Sequence, residues 1–212
     1  MMKRRTFLST VSVGAMALGF GTSVGMALET PPDLMAPGPL PEKSFGRDDA
    51  PVTVVEYASM TCGHCQRFHL ETFPAIKRDY IDTGKVRFIF REFPFDPRST
   101  AAFMLARCVG DDKWYPTVDL LFRTQEKWAR AESGSDALRS AMAVTGMSTK
   151  DFEACLGDQA LLEKVNAVAE GGKKLGVDAT PTFFINGKME SGALSIAQFA
   201  KIVDPLVAAA GK

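Results

Sequence analysis

The sequence has no excess of charge of either sign, with 25 Lys and Arg against 25 Asp and Glu in 212 residues. A nucleic-acid-binding domain wants a basic footprint, and the densest basic stretches are only Lys3-Arg4-Arg5 and Lys173-Lys174. Repeats and low-complexity tracts are missing, which excludes a solenoid or a tethered array. Histidine is scarce: His64 and His69 stand in one short segment with the single C-x₂-C motif. No second ligand pair follows elsewhere, so the ordinary two-pair zinc site is not supplied. What remains is a chain that is 46% hydrophobic, enough for one globular domain with a single elaboration.

The one long apolar run lies at the start. Met1-Met2-Lys3-Arg4-Arg5 is basic, Val11 to Met26 is apolar and rich in glycine, and Gly25 and Ala27 are small. This pattern predicts a cleaved export signal over residues 1–27, its apolar core too short for a membrane anchor. Arg4-Arg5-Thr6-Phe7-Leu8 fits a twin-arginine signal, and an ordinary secretory signal with two arginines fits equally. Either route ends outside the cytoplasm, which predicts a periplasmic protein. Residues 28–47 carry Pro31, Pro32, Pro37, Pro39 and Pro41 and read as an extended tether.

The periodicity of the remainder, 48–212, alternates in kind. Val52 to Tyr57 is a β-branched and aromatic run that predicts a buried strand. Thr61-Cys62-Gly63-His64-Cys65 then opens a helix reaching about Asp82, in which Pro74 removes a backbone donor and predicts a kink. Val86 to Arg91 is a second strand. Five helical patterns follow: Ala101–Cys108, Lys113–Gln125, Asp136–Val144, Ser148–Cys155 and Asp158–Leu175, separated by glycines. Thr182 to Ile185 returns to strand character, Asn186-Gly187 signals a hairpin, and Lys188 to Ser191 is its second strand. Ser195 with Gln198 is a capping box for a last helix. The order gives an α/β fold: a βαβ unit and a ββα unit around a small mixed sheet, with a helical insertion at about 97–176.

The chemistry is carried by four cysteines, all beyond the export signal. An even count in an exported chain suggests disulfides. Cys62 and Cys65 are close enough to pair locally, which leaves Cys108 with Cys155. If bonded, that second pair closes a long loop and contributes about 4 kcal/mol in the chain-entropy account; unbonded, the two thiols act as small apolar residues. Cys62, just past a strand and in the first turn of a helix, is where a thiolate is favoured. Unpaired backbone N–H groups and the helix dipole both attract negative charge there. The thiolate is the form that attacks a disulfide, and an ordinary cysteine near pKa 8.5 is mostly protonated at neutrality. Cys65, one turn on, is placed to resolve a mixed disulfide, and His64 between them stabilises the thiolate when protonated. His69 reads as a packing or surface residue. Met60 and Thr61 flank Cys62 and shape its surroundings.

Val54-Val55-Glu56-Tyr57, then Cys62-Gly63-His64-Cys65-Gln66-Arg67-Phe68, and downstream Thr180-Pro181-Thr182-Phe183-Phe184-Ile185-Asn186-Gly187, together resemble the DsbA family of periplasmic disulfide oxidoreductases. The resemblance runs from about Asp48 to Lys212. It implies a thioredoxin fold, Cys62 as nucleophile, Cys65 as resolving thiol, and Pro181 as a cis proline facing them, with the backbone of Thr180 free to pair with a substrate strand. It also makes Glu56 a buried proton acceptor for Cys65, and a second disulfide like Cys108–Cys155 resembles one in alphaproteobacterial relatives. Gly63-His64 departs from the Pro-His of the best-known members and is similar to protein disulfide isomerases. Those sit at about −180 mV, against about −120 mV for the strong oxidant.

The resemblance implies a monomeric thiol oxidase that needs no cofactor or metal. It would donate its disulfide to cysteine-containing exported proteins and be recycled by a quinone-linked membrane oxidase of the DsbB kind. Two alternatives stand beside it: an isomerase or reductase of the same fold, suggested by Gly63-His64, and a non-catalytic binding module.

Overall fold

The structure is a computed structural model and describes residue 31 and residues 33–211. The export signal expected over 1–27 lies outside the described residues. Five strands form one sheet: β1 (Lys43–Phe45), β2 (Val52–Ala58), β3 (Val86–Glu92), β4 (Thr182–Ile185) and β5 (Lys188–Ser191), in the spatial order β1-β3-β2-β4-β5. β2 and β3 are parallel, as a helical crossover between them requires, and the other three pairings are antiparallel. The central strands are almost wholly buried, which explains why their sequences are nearly continuous apolar runs rather than alternations.

The crossover is one helical run whose hydrogen bonding changes register along its length. It comprises α1 (Gly63–Arg67), a π-helical turn (Phe68–Thr72), α2 (Phe73–Ile76) and a second π turn (Lys77–Ile81). Pro74 sits in the first turn of α2, directly after the first π turn. The helical run continues through the proline, with its hydrogen bonding rearranged where the kink was expected. A wider turn ahead of the proline removes the need for the N–H it lacks.

The helical insertion follows β3 as α3 (Pro97–Cys108), α4 (Asp111–Arg123), α5 (Gln125–Trp128), α6 (Gly134–Ala143), α7 (Thr149–Leu156) and α8 (Gln159–Lys174), and α9 (Ile196–Ala210) closes the chain. Side-chain oxygens of Asp96, Ser133, Ser148 and Asp158 accept from backbone N–H groups in the first turns of α3, α6, α7 and α8. Ser195 and Gln198 form the expected reciprocal box at α9. Asn186 and Gly187 both have positive φ, 44° and 84°, as a two-residue hairpin turn requires. Cys108 and Cys155 form a disulfide joining the end of α3 to α7.

One sheet face, with Val52, Val54, Phe88, Phe183 and Ile185, packs on the crossover helix and α9. The other, with Val55, Tyr57, Ile89 and Phe184, packs on α8. The insertion has its own core, built on Phe103, Leu121, Phe122 and Trp128, and that core reaches Met60 and Cys65 at the end of the sheet.

Within 28–47, read from its prolines as an extended tether, the described residues pack on the domain. Lys43–Phe45 pairs with β3, Leu34 is buried against the α8 face, and Phe45 meets Phe73 and Tyr115 edge-on at 5.6 and 4.8 Å. An edge strand is held by backbone bonds and tolerates neighbouring prolines, so its composition carries little signal.

Gly172 sets the approach of α8 to the sheet. A Cβ there would stand 2.8 Å from Tyr57 Cε1 and 3.1 Å from Phe93 Cδ2, and Tyr57 is pinned by a 2.9 Å bond from Arg91 Nη1 to its hydroxyl. Gly172→Ala is therefore expected to destabilise by about 1–3 kcal/mol through overpacking, outweighing the gain in helix propensity of about 1 kcal/mol. Gly171→Ala, whose Cβ would meet nothing within 4 Å, should show only the gain. Urea unfolding midpoints of the pair check this.

Candidate active site

The site forms where β2 ends and the crossover helix begins. Ser59 to Thr61 bring the chain off the buried strand, and Cys62 is the N-cap residue of α1, with extended backbone (φ −80°, ψ 118°) and no side-chain cap. Its carbonyl accepts from Gln66 N at 3.0 Å, while its own N–H donates to Ser59 O at 3.2 Å. Gly63 and His64 are exposed and Cys62 is half-buried, whereas Cys65 has no accessible surface. An incoming thiol can therefore reach Cys62 and not Cys65.

Both cysteines are free thiols in this structure, and their environments push them apart. The Cys62 thiol is lowered to about 5, chiefly by the hydrogen bond from Cys65, with further donation from the Thr180 side chain and from the backbone N–H groups of Cys65 and His64; burial opposes the shift. The amide of His64 is thus one of the groups that favour the thiolate. Cys65 is pushed well up, first by burial, then by its bond to Cys62 and by the charge of Glu56. Ser59 N donates to Cys65 Sγ at 3.5 Å and works the other way. One accessible thiolate and one buried thiol result.

The Thr180–Pro181 peptide is cis. It brings Thr180 O to 3.3 Å from Cys62 Sγ, where the thiol form donates to it. A thiolate has no proton to give, so in that form the Thr180 hydroxyl, buried and without another partner among the described residues, becomes the relevant group. β4 begins at Thr182 and pairs with β2, and this pairing carries the proline loop to the strand end where Cys62 lies.

Glu56 is fully buried on β2, opposite Phe90 and Phe183 in the register. It shares a face with Val52 and Val54 because side chains of a strand alternate, and that face meets the crossover helix. Its Oε2 lies 2.9 Å from His69 Nε2, and its Oε1 has no partner among the described residues. His69 was not among the site residues expected from sequence. It is buried, stacks on Phe122 of α4 at 4.6 Å with 16° between the planes, and meets Phe90 edge-on at 5.4 Å. The available signal was spacing: position 69 lies one turn beyond Cys65 on the same helix face, and a buried acid on the facing strand needs a partner.

Among the described residues no group of three His, Cys, Asp or Glu side chains is arranged to hold a metal ion. No helix among them is long and apolar enough to cross a membrane.

A family profile described as Thioredoxin matches residues 41–205. The crystal structure of alpha-DsbA1 from Wolbachia pipientis superposes with a TM-score of 0.73 at 34% identity, covering 82% of this chain and 94% of that one. The chain belongs to the DsbA family of thioredoxin-fold proteins. A putative protein-disulfide oxidoreductase of Rickettsia typhi is 34% identical over 165 residues, which are 76% of this chain and 60% of the relative. Disulfide bond formation protein D of Bacillus subtilis is 28% identical over 156 residues, 68% of each chain. The chain thus spans about three fifths of the length of its Rickettsia relatives. The fold expected for the family, a mixed sheet with a helical insertion, is the one observed.

Proposed function

We propose that this DsbA-family chain is a thiol–disulfide oxidoreductase that donates a Cys62–Cys65 disulfide to exported proteins. The observation that carries the reading is the unequal pair: an accessible sulfur favoured as thiolate beside a buried one favoured as thiol. In the oxidised form a substrate thiolate attacks Cys62 Sγ, the exposed sulfur. The Cys62–Cys65 bond breaks, a mixed disulfide forms, and the Cys65 thiolate is protonated. A second substrate thiolate then attacks the substrate sulfur of the mixed disulfide and Cys62 leaves. A thiol of low pKa leaves readily, so this step is fast for the same reason that reduced Cys62 is stable. The substrate dithiol becomes a disulfide, and the chain takes up two electrons and two protons.

Glu56, charged and close enough to act on Cys65, is the group that exchanges the proton of the buried sulfur. Thr180 and the cis Pro181 hold the substrate strand beside Cys62. The clients are cysteine-containing proteins outside the cytoplasm, and the reduced chain, a monomer, returns its electrons to a quinone-linked membrane oxidase of the DsbB kind. The bond between Cys108 and Cys155 is structural, since it lies within the insertion and ties α3 to α7.

The test is oxidation of reduced, unfolded ribonuclease by stoichiometric oxidised protein, together with the equilibrium of the Cys62–Cys65 pair against glutathione. Rapid oxidation and an equilibrium strongly favouring the reduced chain are expected. Failure to oxidise a dithiol rejects the assignment. Gly63-His64 favours isomerase activity as a second reading, and recovery of scrambled ribonuclease faster than oxidation of the reduced protein would support it over the first.

A further inference from the structure

Gln125 opens α5, a single turn in the helical insertion, and its place there follows from the residue before it. Thr124 breaks the regular helix with φ −103° and ψ 7°, and its hydroxyl donates to Leu120 O at 2.7 Å. The break separates α4 from α5 and turns Gln125 inward, where only 3% of its surface is accessible. A buried amide is a costly placement unless it is bonded. The two hydrogens of Gln125 Nε2 go to Met60 O at 2.8 Å and to Cys62 O at 3.1 Å. One rigid NH₂ group therefore straddles Thr61 and fixes the directions of two carbonyls on the segment that ends at the reactive cysteine.

The same segment is gripped from α3. Ser99 Oγ accepts from Met60 N at 3.0 Å and contacts Ser59 Oγ at 2.9 Å, while Thr61 Oγ1 donates to Asp96 Oδ2 at 2.5 Å. Asp96 in turn caps α3. These α3 contacts hold the side chains of Ser59 and Thr61 and the amide of Met60. Among the described residues, only Gln125 reaches the carbonyl of Cys62 from outside its own helix. A peptide plane turned at Cys62 would redirect the amides that follow it, those of residues 64 and 65, which donate to Cys62 Sγ.

We propose that Gln125, supplied by the helical insertion, is a positioning residue for disulfide exchange: its side-chain amide holds the Met60 and Cys62 carbonyls so that the start of α1 is aimed at the Cys62 sulfur. The proposal rests on the oxidoreductase reading and assigns the insertion a part in setting the reactivity of the site. Gln125 does not touch the reacting atoms. It acts through the backbone of Cys62.

The experiment uses the full chain with Gln125→Met, similar in length but without donors, and Gln125→Asn, which keeps the amide one methylene short. Thiolate absorbance near 240 nm is followed against pH, the equilibrium with glutathione is measured, and thermal unfolding is recorded for both. For Gln125→Met the expected result is a Cys62 midpoint about one pH unit higher, which corresponds to a tenfold change in the equilibrium constant. The glutathione equilibrium should move about tenfold toward the oxidised chain, because the reduced form has lost thiolate stabilisation. Gln125→Asn should fall between this variant and the parent. A lowered unfolding temperature with midpoint and glutathione equilibrium unchanged would make Gln125 merely structural and overturn the proposal. Should Gln125→Met not fold, unchanged values for Gln125→Asn overturn it equally. A parent chain whose Cys62 titrates like an ordinary thiol would instead sink the oxidoreductase reading, so the two failures are distinguishable.

Discussion

Cys62→Ala is expected to reduce thiol oxidation to the uncatalysed background, while Cys65→Ala is expected to accumulate mixed disulfides with client proteins. The asymmetry follows from burial. Cys65 has no accessible surface, so it cannot substitute for Cys62 as the sulfur that substrate thiols meet. Without Cys65, Cys62 still reacts with an oxidised partner, but the internal thiol that would release the adduct is gone. Non-reducing electrophoresis after an alkylating quench separates the outcomes, and turnover by Cys62→Ala would reject the assignment of roles.

The same sulfur makes the reduced chain's stability depend on pH. The folded-state value of Cys62, about 5, lies below that of an unfolded thiol. Its contribution is therefore fully present above the unfolded value near 8.5 and is lost as pH falls through about 5. Cys62 is half-exposed, so solvent screening keeps the effect smaller than the shift implies. Reduced parent and reduced Cys62→Ala should converge in unfolding temperature toward pH 5 and separate toward pH 8, apart from the constant packing difference.

The second large effect is expected at His69. Glu56 and His69 are both buried, with side-chain exposures of 0% and 3%, and the histidine is held between Phe90 and Phe122. His69→Leu retains the bulk and removes the partner, leaving an acidic group with neither oxygen bonded. Removing one member of a buried pair costs about 3–5 kcal/mol, because the other remains desolvated without compensation. Replacing both, as Glu56→Leu with His69→Leu, should recover most of that loss, since two apolar side chains of similar size need no partner. Urea unfolding of the two single variants and the double variant measures the coupling. Simple additivity would mean that the 2.9 Å contact carries no stability. The double variant should also exchange disulfides more slowly than its stability predicts, because Cys65 would have lost the group that exchanges its proton.

The elements legible in advance were those with strong local signals. The strand at Val52, the hairpin at Asn186-Gly187, the capping box at Ser195 and the helices of the insertion other than the single turn α5 have a period or a turn chemistry of their own. They fell within a few residues of their observed bounds. The missed features share a cause. β1 is three residues long and is a strand only because β3 offers it a free edge. The π turns around Pro74 are a compromise between a missing donor and a helix that must stay packed on Phe88 and Phe183. His69 and Gln125 look like surface polar residues until the fold closes over them.

For the site, the order of residues was enough to specify two sulfurs one helical turn apart at a strand's end, a proline motif downstream and an acid within an apolar strand. Those are local facts, set by spacing along a chain whose backbone geometry is known. Which sulfur is accessible, which atoms donate to it, and what neutralises the buried acid are set by groups far apart in the chain. Thr180 reaches Cys62 only when β4 pairs with β2, and Gln125 and Phe122 become neighbours of Cys62 and His69 only when the insertion folds over the end of the sheet. Electrostatic and hydrogen-bonding effects depend on distance through space and on the exclusion of water, and neither can be read from separation along the chain.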